Sequence, residues 1–378
     1  MVTDMETNMR VLFLYNRSQE TTKTADAYKT RMDGLRGGLD SIGVPNGCLS
    51  LRELRFNRPH LAFPLNAGAI ARRAEGFNTI HAGGAGATVA AAAARARHSH
   101  IVVFDAHGDE VLETRLEWQA NPTPRGAFLV LQAIIISSLA LRVADLLVTV
   151  SEPFRQHYLK KGVPAERVII ARNGADTSAI TPVLPVTNGQ IDVCYAGGFQ
   201  AWQAIDTLIE GFAQANEERL RLHLIGFSPD DQMLKSTIGR RFADRVTLED
   251  WMPKRDLIER LTRADVLIIP RTKHRAMRGG LPSKFAEYLA MGRPVIVTNT
   301  DETASFVSKY GCGLVSEPTA EGLSNAIRRA ASWSKDEREA MGGRARRLAE
   351  SVFDWRSISR EYIEQVSRLT QPKEKDRG

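Results

Sequence analysis

A chain of 378 residues is longer than one hydrophobic core ordinarily supports, which points to two α/β domains. Its 51 Lys and Arg against 44 Asp and Glu leave a net charge of +7. That excess is diffuse and has no aromatic–basic stacking platform, so it suits anionic small molecules or a lipid headgroup surface and argues against nucleic acid.

Taken in chain order, MRVLFLY (9–15), NTIHA (78–82), IVVFDAH (101–107), ADLLVTVS (144–151) and RVIIA (167–171) read as strands, with helices near 24–41, 86–97 and 110–141 between them. Repeated βα units predict a doubly wound parallel sheet. The start MVTDMETNMR has no apolar run and is expected to carry no secretory signal. The apolar run Ala127–Leu141 carries Gln132 and two serines and is shorter than the roughly 20 residues a membrane span needs, so it reads as a buried helix. Asn16–Thr24, after the first strand, is expected to form a loop of Ser, Thr and Lys.

A Pro-rich break, TPVLPVTNGQ (181–190), reads as a linker, after which IDVCYAGG, LRLHLIG, RVTLEDW, ADVLIIPR, RPVIVTN and GCGLVS restart the pattern. The predicted division is 9–182 for a first Rossmann-like domain, 190–350 for a second, and 351–370 for a helix returning to the first. The polar tail 371–378 is expected to be disordered. Cys48, Cys194 and Cys312 are far apart, odd in number and without metal-ligand spacing, which fits a reduced cytosolic compartment.

The most informative stretch is GGLPSKFAEYLAMGRPVIVTN (279–299). A Gly-rich turn leads through Leu281 to Pro282, which suits the first turn of a helix because its missing N–H would be unpaired there. Ser283 and Lys284 then sit where backbone N–H groups and the positive end of the helix dipole point outward, which makes a phosphate site. Glu287, one turn further in, would repel phosphate and is better suited to sugar hydroxyls. The implied ligand is a nucleotide.

This stretch closely resembles the nucleotide-sugar motif of the retaining group 1 glycosyltransferases, which have the GT-B fold of two Rossmann-like domains facing a cleft. Glu287 matches the family's second motif Glu, used on the ribose, and Gly292-Arg293-Pro294-Val295 matches the motif's end. The first Glu falls on Gly279 and is absent, and the Pro-Ser-Lys sequence ahead of Glu287 matches a sub-pattern. The resemblance runs from Met9 to about Leu369. Asn173, Gly174 and Asp176 match an Asn-Gly-x-Asp passage that reads as a turn. Gly197 and Gly198 end the first strand of the second domain, where side chains would block diphosphate. The family often has an Arg and a Lys just beyond; here Phe199 and Gln203 stand there. The cations of RTKHRAMR (Arg271, Lys273, Arg275, Arg278) are the candidate replacements, against the alternative of an ordinary solvated loop.

The resemblance also implies that Gly226 and the turn Glu249-Asp250-Trp251-Met252 grip the nucleobase. Trp251 can stack on the base or pack at the domain edge. In the first domain, His107 matches a His near the donor sugar. Asp105, Asp109 or Glu110 can bind the acceptor or take its proton, while capping of the next helix competes for Asp109. His81 and the run GGAGAT (83–88) fit no dinucleotide fingerprint.

The expected activity is metal-independent transfer of a sugar, with retention, from a UDP-, GDP- or ADP-sugar, with no separate cofactor. The acceptor is a glycan, lipid-linked or small-molecule hydroxyl, in cell-surface glycan or glycolipid synthesis. Location in the cytoplasm, with peripheral association at the inner membrane face, fits the basic first domain. The rival readings are a nucleotide-sugar epimerase of the same fold, or a non-catalytic partner subunit suggested by Gly279, Phe199 and Gln203.

Overall fold

The computed structural model describes residues 9–15, 27–56, 60–183, 189–227, 245–274 and 279–370, and among these twelve strands form two six-stranded parallel sheets. The sheets belong to two separate units. The first comprises 9–15, 28–172 and 355–370, and the second 173–354. Residues 173–182, assigned from sequence to the first domain, go with the second because its last helix holds them. Ala175 N donates to Phe353 O at 2.8 Å, and Arg346 Nη2 donates to Thr177 O at 2.7 Å.

In the first unit β1 (Val11–Tyr15), β2 (Asn46–Ser50), β3 (Thr79–Gly83), β4 (Ile101–Ala106), β5 (Leu146–Thr149) and β6 (Val168–Ile170) lie in the order 2-1-3-4-5-6. Every residue of β1 is buried, as a parallel strand covered on both faces requires. Strand β2, NGCLS, was not legible in the sequence: its Asn and Gly are poor strand formers, and only pairing with β1 at the sheet edge makes it a strand. Helices α1 (Ala27–Ser41), α2 (Ala67–Arg73) and α3 (Ala85–Ala94) precede β4.

The stretch 110–141, read as one helix, is two, α4 (Glu110–Ala120) and α5 (Pro124–Val143). Thr123 caps the second by accepting from Gly126 N at 3.0 Å, and Pro124 opens it. Nor is the second a buried helix. Val130, Gln132, Ile136 and Ala140 are buried, whereas Phe128, Leu129, Leu131, Ile134, Ile135 and Leu139 are exposed. Helix α6 (Glu152–Lys160) follows β5.

In the second unit β7 (Ile191–Ala196), β8 (Leu220–Phe227), β9 (Val246–Asp250), β10 (Val266–Ile269), β11 (Val295–Thr298) and β12 (Gly313–Ser316) lie in the order 12-11-10-7-8-9, the Rossmann order. Its helices among the described residues are α7 (Ile205–Ala215), α8 (Lys254–Thr262), α9 (Ser283–Ala290), α10 (Glu302–Tyr310), α11 (Ala320–Ala331) and α12 (Lys335–Val352), and α13 (Trp355–Thr370) returns to the first unit. Strand order reverses between β7 and β10, so the connections leave their carboxyl ends in opposite directions. That opening is where such sheets bind ligands.

Candidate functional site

At this reversal the end of β7 meets the start of α9. The helix is fixed there by its own buried face. Tyr288 Oη accepts from Ala196 N at 2.8 Å, and Phe285, Ala286 and Leu289 are buried beside it. Asn173 Nδ2 donates to Leu281 O at 2.6 Å, which holds the turn leading into Pro282. Asn173 therefore supports the helix start, while Asp176 has the turn role expected of it, accepting from Ser178 N and Ala179 N at 3.0 Å. The side chain of Leu281 is buried and offers the site only its backbone.

Lys284, the second residue of α9, carries the charge. Its Nζ lies 3.0 Å from Tyr195 Oη, 3.5 Å from Gln203 Oε1 and 4.1 Å from the centre of the Tyr195 ring. Burial, with the Arg271 charge acting in the same direction, pushes its ammonium down to about 7. Tyr195 Oη in turn donates to Gly198 O at 2.6 Å, so one tyrosine sets both the lysine and the glycine turn. A Cβ on Gly197, whose φ is +138°, would fall 2.5 Å from Lys284 Nζ. Gly226, at φ +98°, backs onto the same turn, where a Cβ would fall 2.9 Å from Gly197 O. Gly226 is required by close approach to backbone, and both glycines by a positive φ that other residues rarely adopt.

Glu287, one turn along the same helix face, has a mostly buried side chain and is ion-paired with Lys254 at the start of α8. Trp251 and Met252 lie between β9 and α8. Trp251 is 45% exposed, which leaves it partly open to a stacking ligand.

The loop after β10 differs from expectation. Arg271 is buried, and its Nη1 donates to Asp301 Oδ2 at 2.5 Å. Asp301 also caps α10 by accepting from Thr303 N at 3.0 Å. Arg271 is thus tied to a buried carboxylate, not presented as a solvated loop cation, because the strand end draws it inward. Lys273 is exposed, whereas Arg275 and Arg278 lie outside the described residues, as does the loop expected over Asn16–Thr24.

In the first unit the structure overturns the catalytic role of Asp105. Its side chain is fully buried and receives Arg31 Nε at 2.8 Å and Nη2 at 3.1 Å. His81 Nε2 lies 3.1 Å from Asp105 Oδ2, and His81 Nδ1 lies 2.9 Å from Tyr362 Oη. Burial alone would raise the Asp105 carboxyl, but the Arg31 charge and the His81 hydrogen bond outweigh it and hold it well below the usual carboxylate range. A group so paired has neither the exposure nor the basicity to take a substrate proton. It instead joins α1, β3, β4 and α13. Asp109 is likewise structural, capping α4 by accepting from Leu112 N at 3.1 Å.

His107 does face open space. It lines a cavity of about 300 Å³ together with Tyr28, Arg52, Gly83, Gly84, Glu110 and Glu113, and its ring packs on Tyr28 at 4.7 Å. Gly83 is a glycine because a Cβ would fall 1.2 Å from Tyr28 Oη. Glu110 Oε1 accepts from Ala85 N at 2.9 Å at the start of α3, and burial raises its carboxyl. Glu113 is exposed as a whole residue, but its Oε1 lies where a Cβ on Gly108 would be only 2.4 Å away. Burial there, reinforced by Glu110 and Asp109, raises the Glu113 carboxyl to about 7. The cavity therefore offers one imidazole and two carboxyls of raised pKa, a set suited to binding hydroxyl groups.

Several of these residues escaped sequence reasoning. Tyr195 stands two residues before Gly197, yet nothing in the sequence shows that its ring carries Lys284. Lys254, Arg52 and Glu113 reach their sites only through the packing of α4, α8 and the residues after β2.

Comparison with known proteins bears on the family and the fold. Residues 190–332 match the family model described as "Glycosyl transferases group 1", and residues 18–174 match "Glycosyl transferase 4-like domain". The putative colanic acid biosynthesis glycosyltransferase WcaL of Escherichia coli K12 is 25% identical over 236 residues, 60% of this chain and 58% of its own length. The same-named protein of Salmonella typhimurium is 23% identical over 226 residues, 58% and 56% of the two chains. The match thus spans less than two thirds of either relative. Sucrose-phosphate synthase from Thermosynechococcus elongatus superposes with a TM-score of 0.77 at 17% identity, covering 96% of this chain and 99% of that one. HepE of Anabaena, in complex with UDP and glucose, gives 0.69 at 15% identity over 96% and 100% of the chains. Such low identities speak to fold, and the two sequence models, which together cover well over half of the chain, speak to family. This chain belongs to the group 1 glycosyltransferases and has their GT-B fold.

Proposed function

We propose that the protein transfers a sugar, with retention of configuration, from a nucleoside diphosphate sugar to an acceptor hydroxyl in cell-surface glycan synthesis. The observation that carries this reading is Lys284, set at the start of α9 over Tyr195 and against Gly197, at the point where strand order reverses. Backbone N–H groups of the first turn and the lysine together suit a diphosphate. Glu287 accepts from the ribose hydroxyls in exchange for Lys254, and Trp251 stacks on the base. In the reaction the bond from the anomeric carbon to diphosphate breaks as the acceptor oxygen bonds that carbon, and the acceptor proton passes to the departing diphosphate. Lys284 stabilises the charge that develops there. His107, Glu110 and Glu113 bind sugar hydroxyls in the cavity of the first unit. The acceptor is a lipid-linked glycan, a reading supported by the basic charge and by the colanic acid role in the relatives' names.

The test is a melting-point screen with UDP, GDP and ADP, followed by slow hydrolysis of the matching nucleotide sugar. A ligand that binds only the native state raises its melting point. UDP comes first because HepE binds it. Release of the original sugar with its anomeric configuration retained supports the transferase. An epimerised sugar, or binding without turnover, replaces it with the epimerase or the partner subunit.

A further inference from the structure

The outer face of α5 is a continuous apolar stripe. Phe128, Leu131, Ile134, Ile135 and Leu139 are 54%, 54%, 38%, 50% and 41% exposed. Their spacing of three and four residues places them along one face for about 17 Å. Between Arg125 and Arg142 the helix holds no charged residue. By length and composition alone α5 could cross a bilayer. Its opposite face, however, is buried at Val130, Gln132, Ile136 and Ala140, and α4 and α5 link adjacent strands of one sheet, so the helix lies along the unit and does not leave it.

The ends of the stripe are cationic. Arg125 and Arg142 are exposed. Around the C-terminal end, Arg167 Nη2 donates to Leu141 O at 3.2 Å, and Arg95, which donates to Val143 O at 3.0 Å, is ion-paired with Asp145, so the charge there comes from Arg142 and Arg167. A second copy of the chain fits this face poorly. One helix stripe offers on the order of 170 Å², against about 800 Å² per partner in a stable interface. Two stripes laid together, parallel or antiparallel, would also set arginine ends against arginine ends.

We propose that the outer face of α5 seats the protein on an anionic phospholipid bilayer, with the helix in the headgroup plane and its flanking arginines on lipid phosphates. This deepens the proposed transfer to a lipid-linked acceptor and rests on that reading for its purpose, but its test uses no nucleotide.

The full chain is sedimented with vesicles of phosphatidylcholine with and without phosphatidylglycerol. Wild type should pellet with the anionic vesicles, and less so as salt rises. The double variant Leu131→Ser, Ile135→Ser should bind about tenfold more weakly, and Arg142→Glu should lose the preference for the anionic lipid. Both variants should keep the wild-type circular dichroism and unliganded melting temperature, and Phe128→Ser serves if the double variant is misfolded. Wild type remaining in solution, undiminished pelleting of the serine variants, or a wild-type dimer dissociated by the same substitutions would each overturn the proposal. Failure of the transferase reading shows separately, as absence of nucleotide-sugar turnover in solution.

Discussion

Gly197 and Lys284 meet in close approach: a Cβ on the glycine would stand 2.5 Å from the lysine nitrogen. The pair joins the end of β7 to the start of α9, and it explains why a left-handed glycine and a half-buried lysine coincide. Gly197→Ala should therefore displace Lys284 from Tyr195 and strain the backbone at φ +138° by about 1–3 kcal/mol. Titration calorimetry should show UDP bound at least about tenfold more weakly and uridine little changed. Equal loss for both ligands would mean that the turn has collapsed.

Lys284 also sets a pH dependence. Its ammonium titrates near 7 in the free protein, and a bound diphosphate favours the charged form. Affinity for UDP should be highest below pH 7 and fall as pH rises through and above that value. Lys284→Met should bind more weakly and flatten the profile. Stability moves the other way, rising with pH between about 7 and the unfolded lysine value, because the unfolded chain then binds more protons. A profile that Lys284→Met leaves unchanged would assign the titration elsewhere.

Glu287 and Lys254 form an ion pair of unequal exposure, 13% against 52% for the side chains. Glu287→Ala should weaken nucleotide binding by about 1.5–3 kcal/mol, the range for hydrogen bonds to a charged group. Lys254→Ala, which removes only the exposed partner, should cost at most about 1 kcal/mol. Comparable losses in the two variants would show that the pair, and not ribose binding, matters.

Asp105→Asn should act on stability. It leaves Arg31 as an uncompensated buried charge, and urea denaturation should show a loss of about 3–5 kcal/mol. Because the folded carboxyl is held low, its contribution is present above about pH 4 and disappears on further acidification. A variant of wild-type stability would contradict the structural role assigned here.

His107→Ala should leave UDP affinity intact while lowering transfer at least about tenfold, since a group that orients a sugar hydroxyl acts when the reacting atoms are aligned. An unchanged melting temperature must accompany the result. Full transfer by a folded variant would remove His107 from the reaction.

The sequence by itself determined a good deal. Apolar strands alternating with helices specified two parallel α/β sheets, since a run such as ADVLIIP can be buried on both faces only in that setting. The run GGLPSKFAE likewise marked a helix start with a lysine and a carboxylate on one face, because local geometry alone places residues three apart together. Tertiary structure decided which charges are available. Arg271 and Asp105 read as site residues from their positions at strand ends, and both are consumed by buried partners, Asp301 and Arg31, distant in the chain. Ala127–Leu141 read as a core helix because hydropathy records composition and not which neighbours exist, whereas packing covers only one of its faces. Pairing and burial are properties of contacts between distant segments, and those exist only once the sheets have formed.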